Sequence, residues 1–256
     1  MTDVLCELRD LVAVVTLNRA ARRNALSGAL LTSLRSTVAR LDSDAAVRVI
    51  VLTGADPAFC AGLDLTELGQ AGGPLSSAAS GPVLPPLSKP LIGAINGAAI
   101  TGGLELALAC DFLIASERAR FADTHARLGI MPGWGLTVQL PAAVGLRRAK
   151  EMSATGNFVD ARTALGWGLV NHVVPHSELL DFTVRLAADA ASSDAAAVQA
   201  MFATYREGSQ LAGGEAAQVE AEAHARWHAA GIDSGEVARR REAIIERGRS
   251  QATSSP

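Results

Sequence analysis

Cysteine is scarce in this 256-residue chain. Its three cysteines stand alone at Cys6, Cys60 and Cys110, with no Cys-x-x-Cys. An odd, scattered set indicates neither a disulfide framework nor a zinc site, and it fits a reducing cytoplasm. Charge is also thin, at 19% of residues and a net −3. A nucleic-acid binder would carry a basic patch or domain, so no nucleic-acid partner is expected. Long apolar runs are missing. The best candidate, 98–110, is broken by Gly102, Gly103 and Glu105 and falls short of the ~20 residues a membrane span needs. The first apolar stretch, 11–17, follows Glu7, Arg9 and Asp10 and lacks the basic flank of a secretory signal. There is no Gly-x-Ser-x-Gly elbow of a serine hydrolase and no repeat with a 20–50 residue period.

What is present is apolar: 49% of residues, the upper end for a globular chain. That length buries a large core, and the apolar excess suits subunit interfaces as well. Val4–Leu8 and Val12–Leu17 read as strands around an Arg9-Asp10 turn. Ser27 is placed to cap a helix on which Leu30, Leu31, Leu34, Val38 and Leu41 recur at helical spacing. Residues 47–52 and 91–95 read as buried strands, 103–110 as a helix and 112–115 as a strand. Such alternation implies α/β crossovers. Residues 69–89, dense in Gly, Ser, Ala and Pro, read as a mobile surface segment. From about residue 177 the pattern turns helical. The expected organisation is a core over 1–195 and a helical, oligomerising region over 196–256.

Two segments carry candidate chemistry. In Thr101-Gly102-Gly103-Leu104-Glu105 two glycines open an apolar helix. Glycine lets the backbone approach a ligand closely. The first N–H groups of a helix lack partners and favour negative charge, a setting for a developing oxyanion. Glu105 lies among apolar neighbours, where a carboxylate is costly unless paired. On these residues alone it is either a catalytic acid/base or half of a structural ion pair. The second segment is Phe59-Cys60-Ala61-Gly62-Leu63-Asp64-Leu65. There Asp64 is placed to cap a short helix over 65–68. By itself the loop reads as an ordinary strand-to-helix turn, and Cys60 as a buried inert thiol.

Taken together, the motifs resemble the crotonase, or enoyl-CoA hydratase/isomerase, superfamily. The resemblance rests on Arg23-Asn24-Ala25-Leu26, on 59–65, and on 102–107 with Cys110-Asp111. It continues through Phe121-Ala122-Asp123, 128–133, Gly156, 161–165 and 168–170, and is good to about residue 190. It implies an α/β spiral of ββα turns with a helical C-terminal region, assembled as a trimer or dimer of trimers. It implies an acyl-CoA thioester as substrate, with no metal or other cofactor. It places backbone oxyanion-hole donors at Leu63 and Gly102 and an acid/base at Glu105. Arg22, Ala25, Ala61, Asp64, Leu65, Gly103 and Gly133 become candidate CoA or substrate contacts. Arg22 or Arg23 either meets the CoA phosphates or is a solvated surface arginine.

One position departs from the family pattern. Hydratases of this family use two glutamates around one water, and the second matches His125. A histidine there is either a replacement acid/base, with an ordinary pKa of ~6.5, or a pocket-lining side chain. Trp134 stands where a small residue is usual. It either narrows the acyl end of the pocket or packs into core or interface. Hydration of a 2-enoyl-CoA is the first reading. Enoyl-CoA isomerisation, another lyase reaction of the family, or acyl-CoA binding without catalysis are the alternatives.

Overall fold

The computed structural model describes residues 2–68 and 81–206, with a few isolated positions beyond 224. In chain order the elements are β1 (Val4–Arg9), β2 (Val12–Leu17), α1 (Gly28–Ser43), β3 (Val49–Gly54), β4 (Ala58–Cys60) and α2 (Leu65–Leu68). Then come β5 (Leu91–Ile95), β6 (Ala98–Ile100), α3 (Gly102–Leu108), β7 (Phe112–Ser116), β8 (Arg120–Ala122) and α4 (His125–Leu128). The described part continues with α5 (Leu136–Val144), α6 (Leu146–Thr155), β9 (Val159–Asp160), α7 (Ala161–Trp167), β10 (His172–Val174) and α8 (Leu179–Ser192).

The strands form two sheets. The larger has the order β1-β2-β3-β5-β7-β10 and the smaller β4-β6-β8-β9. Along the chain β3, β5 and β7 alternate with β4, β6 and β8, and each pair is followed by a helix. Every turn of the chain therefore lays one strand in each sheet, the spiral of ββα turns that the motifs imply. Within the larger sheet β2, β3, β5 and β7 run parallel. Their near-continuous apolar runs follow from burial on both faces. Val12, Val14, Val49, Val51, Ile92 and Ile114 pack against Leu179, Ala187 and Ala191 of α8. Alternate residues, Ala13, Val15, Ile50 and Leu52, face the core with Leu30, Leu34 and Val38 of α1 and Phe59 and Phe121 of the small sheet. Helix α1 starts where the sequence predicts, with Ser27 Oγ accepting the Leu30 N–H at 3.1 Å.

The small sheet positions the site. β4, β6 and β8 lie side by side and parallel, so their C-terminal ends share one edge. The residues that leave those ends are Ala61–Leu63, Thr101–Gly102 and Asp123–His125. Three segments far apart in sequence are thereby brought together.

One feature differs from the sequence-based expectation. Residues 69–80 of the expected mobile segment lie outside the described residues. The remainder is not a free surface strip: Val83 and Leu84 are buried in the core, and Arg35 Nε donates to the Val83 carbonyl at 2.8 Å. Two apolar side chains among the prolines anchor it. Helix α8 ends at Ser192 with Ser193 extended, residues 195–206 are helical again, and the rest of the expected 196–256 region lies outside the described residues apart from isolated positions.

Candidate active site

Three hydrogen bonds fix the loop after β4. Leu26 N–H donates to the Gly62 carbonyl at 2.8 Å, Asp64 N–H to the Leu26 carbonyl at 3.0 Å, and Ala61 N–H to the Arg23 carbonyl at 3.0 Å. Residues 23–26 and 61–64 thus run alongside each other as a short parallel bridge. In extended backbone successive N–H groups point to opposite sides. Gly62 and Asp64 face Leu26, so the Leu63 N–H faces away, toward α3. A Cβ placed on Gly102 would sit 3.5 Å from the Leu63 nitrogen. Among the described residues, neither the Leu63 nor the Gly102 N–H donates to a backbone carbonyl. The two backbone nitrogens therefore lie beside one another.

The glycines are there for contact. A Cβ on Gly103 would collide with the Cys60 carbonyl, so α3 could not dock on β4 with any other residue. A Cβ on Gly102 would lie 3.2 Å from Cζ3 of Trp134, which places the indole edge against the Gly102 backbone. Thr101, just before, has φ +56°, an outlier for a β-branched residue. It is held by its N–H to the Ala122 carbonyl, by the Thr124 N–H to its Oγ1, and by a hydroxyl–hydroxyl bond to Thr124. The backbone that presents Gly102 is thus locked to the segment that carries His125.

Glu105 projects from α3 and is buried. Its Oε1 accepts the Trp134 N–H at 2.9 Å, and its Oε2 lies 3.5 Å from Nε2 of His125. Nδ1 of His125 contacts Asp123 Oδ1 at 2.7 Å, and the same oxygen accepts the His125 N–H at 3.1 Å. Burial opposes charge on His125, but hydrogen bonds and attraction from Asp123 and Glu105 outweigh it and push the imidazole up to about 9. The two carboxylates therefore favour the imidazolium over the neutral ring. Burial also raises Asp123, yet the hydrogen bond and charge of His125, helped by Ser153, leave its carboxyl below the ordinary value.

The structure brings Leu63, Gly102, Glu105, His125 and Trp134 together. Asp64 sits at the same loop, but its carboxylate pairs with Arg19 Nη2 at 3.0 Å and accepts from the Thr66 N–H and hydroxyl. It caps α2, as its position predicts. Arg22 is exposed on a 3₁₀ turn. Ala25 and Ala61 lie on the paired loops, Leu65 opens α2, and the Gly133 carbonyl accepts the Gly81 N–H at 3.2 Å. Burial pushes the Cys60 thiol up to about 12, which leaves it inert at neutral pH. Asp123 and Thr101 were not singled out from the sequence. The Asp-x-His spacing is the one signal that could have found the first, since an Asx side chain reaches the N–H two residues on. Among the described residues no cluster of three or more His, Cys, Asp or Glu is arranged to hold a metal ion, and no helix is long and apolar enough to cross a membrane.

The family model described as enoyl-CoA hydratase/isomerase matches residues 7–241. The chain belongs to the enoyl-CoA hydratase/isomerase family. The match runs past residue 190, where the motif resemblance fades, and reaches residue 241. A peroxisomal protein of Arabidopsis thaliana named probable enoyl-CoA hydratase 1 is 38% identical over 247 residues, 95% of this chain and 92% of that protein. A crystal structure of an enoyl-CoA hydratase from Mycobacterium smegmatis superposes with a TM-score of 0.83 at 47% identity, covering 89% of this chain and 99% of the other. A monofunctional enoyl-CoA isomerase from M. smegmatis superposes with a TM-score of 0.70 at 35% identity, over 82% of this chain and 95% of its own. The fold is that of the crotonase-type hydratases, and the chain is an enzyme of this family.

Proposed function

We propose that this chain hydrates a 2-enoyl-CoA thioester to the 3-hydroxyacyl-CoA. The observation that carries the reading is Glu105 Oε2 facing His125 Nε2 across 3.5 Å, beside the unspent N–H groups of Leu63 and Gly102. An oxygen at ordinary hydrogen-bond distance, about 2.8 Å, from both side chains completes a triangle on that edge.

Glu105 takes a proton from this water as its oxygen bonds to C3. The C2=C3 electron pair moves toward the thioester, and negative charge gathers on its oxygen. The Leu63 and Gly102 N–H groups meet that charge; a donor of this kind contributes ~10²–10³ in rate. His125, charged at neutral pH, delivers its Nε2 proton to C2. Glu105 and His125 then stand as carboxylic acid and neutral imidazole in contact, and one proton transfer between them restores the site. Ordinary acid–base contributions are ~10²–10⁴ each.

Arg22, Ala25, Ala61 and Leu65 on or beside the paired loops, with Gly133, are the proposed CoA-facing surface, and Arg22 is exposed to meet phosphate; Gly103 is taken up by its contact with the Cys60 carbonyl and the Asp64 carboxylate by Arg19 and Thr66. A trimer or dimer of trimers, formed with the help of the helical region, suits the 49% apolar content. Free thiols at positions 6, 60 and 110 suit a reducing compartment such as the cytoplasm.

A second reading is isomerisation of the enoyl double bond. It is favoured by the same contact, since one proton shared by Glu105 and His125 is all that a 1,3-shift over an enolate needs. Crotonyl-CoA decides between them. Loss of the enoyl absorbance with a product heavier by one water supports hydration. Interconversion of 2- and 3-enoyl isomers without water uptake overturns it in favour of isomerisation, and thioester binding with no turnover of either kind leaves a binding protein.

A further inference from the structure

We propose that Asp123 is a positioning residue that fixes the ring of His125 through Nδ1, so that Nε2 alone is presented to Glu105 and the substrate. This rests on the hydratase or isomerase reading of the site for its kinetic arm and on the contacts and charges around the ring for its structural arm.

One carboxylate oxygen of Asp123 takes two hydrogen bonds from the same residue, from the backbone N–H at 3.1 Å and from ring Nδ1 at 2.7 Å. The first pins the start of α4 and the second pins the ring. Both side chains are almost fully buried, so water does not compete for either bond. A ring held this way carries its proton on Nδ1 when neutral, and the proton exchanged in catalysis is the one on Nε2. The opposite tautomer would turn an acceptor nitrogen toward the Asp123 carboxylate, an uncompensated repulsion in a buried place.

Two groups face His125, and a third acts on it indirectly. Asp123 comes from the segment after β8, Glu105 comes from α3, and the Ser153 hydroxyl of α6 acts on it through Asp123. Both charged neighbours are carboxylates, so the ring is held protonated from two sides. Asp123 is the closer, and its removal should release a large part of that hold. A glutamate at position 125 would need no such partner; a histidine does, because it has two nitrogens and must show the right one. The departure from the family pattern at 125 thus brings a requirement at 123.

The test has two arms. In protein labelled with ¹⁵N-histidine, the ring of His125, assigned by the loss of its signals in His125→Gln, should titrate near 9 and keep its proton on Nδ1 above that pH. Titration near the ordinary histidine value, or a proton on Nε2 in the neutral ring, overturns the proposal. In the second arm Asp123→Asn should lower kcat at least tenfold with little change in KM, and move the alkaline limb of kcat down by a pH unit or more. Asp123→Glu should recover part of both. A folded Asp123→Asn enzyme with an unmoved limb overturns the proposal. Should that variant fail to fold, the ring titration in the unaltered protein still decides. An unaltered protein that turns over no enoyl-CoA refutes the functional reading, not the ring's orientation, which the first arm reads independently.

Discussion

Nε2 of His125 lies 3.5 Å from Oε2 of Glu105, and both side chains are buried. The two residues are twenty positions apart in sequence and come from successive turns of the spiral. Their contact pairs a base with a charged acid on the edge of the small sheet, next to two backbone donors.

Glu105 is the expected base. Its Oε1 is held by the Trp134 N–H, which leaves Oε2 for the substrate. Glu105→Gln keeps the shape and loses the basicity. It should bind an unreactive acyl-CoA about as well as the unaltered enzyme and lose at least ~10²-fold in kcat. Isothermal titration and steady-state rates give both numbers, and an unchanged kcat refutes the role.

His125 should couple stability to alkaline pH. Its pKa in the folded protein, about 9, lies above the ordinary ~6.5 of the unfolded chain. The folded state therefore binds the proton more tightly. The stabilisation is fully present below ~6.5 and is lost as pH rises from there through about 9. Its size is on the order of 3 kcal/mol. Tm should fall across that window in the unaltered protein, while the fall should largely vanish in His125→Gln. The same charge state requires kcat/KM to decline above about 9 when His125 is the acid.

The two glycines should behave differently. Gly103→Ala forces a methyl into the Cys60 carbonyl, so it should destabilise the whole fold. Gly102→Ala meets only the indole edge at 3.2 Å, so it should fold. Its methyl would stand 3.5 Å from the Leu63 nitrogen, where the thioester oxygen is to sit. Catalysis should drop ~10²–10³-fold with a modest change in Tm. A folded Gly102→Ala with full activity would show that the oxygen binds elsewhere.

Much of this arrangement is legible in the residues. Val12–Leu17 and Leu91–Ile95 are strands with the boundaries their apolar runs predict, and Ser27 caps α1 as its spacing requires. The short strands β4, β6, β8 and β9 have two or three residues each. Strands that brief carry no periodicity, so the sheet that aligns the site was invisible. Glu105 was legible as a lone acid in an apolar helix. Asp123 was not, because its meaning depends on where the His125 ring turns, and that is set by burial between α3 and α6. The charge of His125 was left open for the same reason: the residue type gives only an ordinary pKa of ~6.5, and the two buried carboxylates that raise it are brought in by the fold.

Trp134 should set the acyl length. Its backbone and side chain do separate things. The N–H holds Glu105 Oε1 at 2.9 Å, and this bond survives any substitution except proline. The ring packs its Cζ3 edge on Gly102, beside the space that the thioester carbonyl and its first carbons would fill. A large rigid ring there leaves little room for a long chain. Trp134→Leu should therefore keep Glu105 in place and open the acyl side. The ratio of kcat/KM for a ten-carbon to a four-carbon enoyl-CoA should rise by tenfold or more, through both a gain for the long chain and a loss of packing for the short one. Full removal in Trp134→Ala would take away a buried ring at about 3–5 kcal/mol, so the leucine variant is the cleaner probe. The ring is part of the buried core, and an unchanged ratio in a folded Trp134→Leu protein would show that it does not also line the acyl path. The chain-length limit would then have to come from Leu63 or from the segment around Val83 and Leu84.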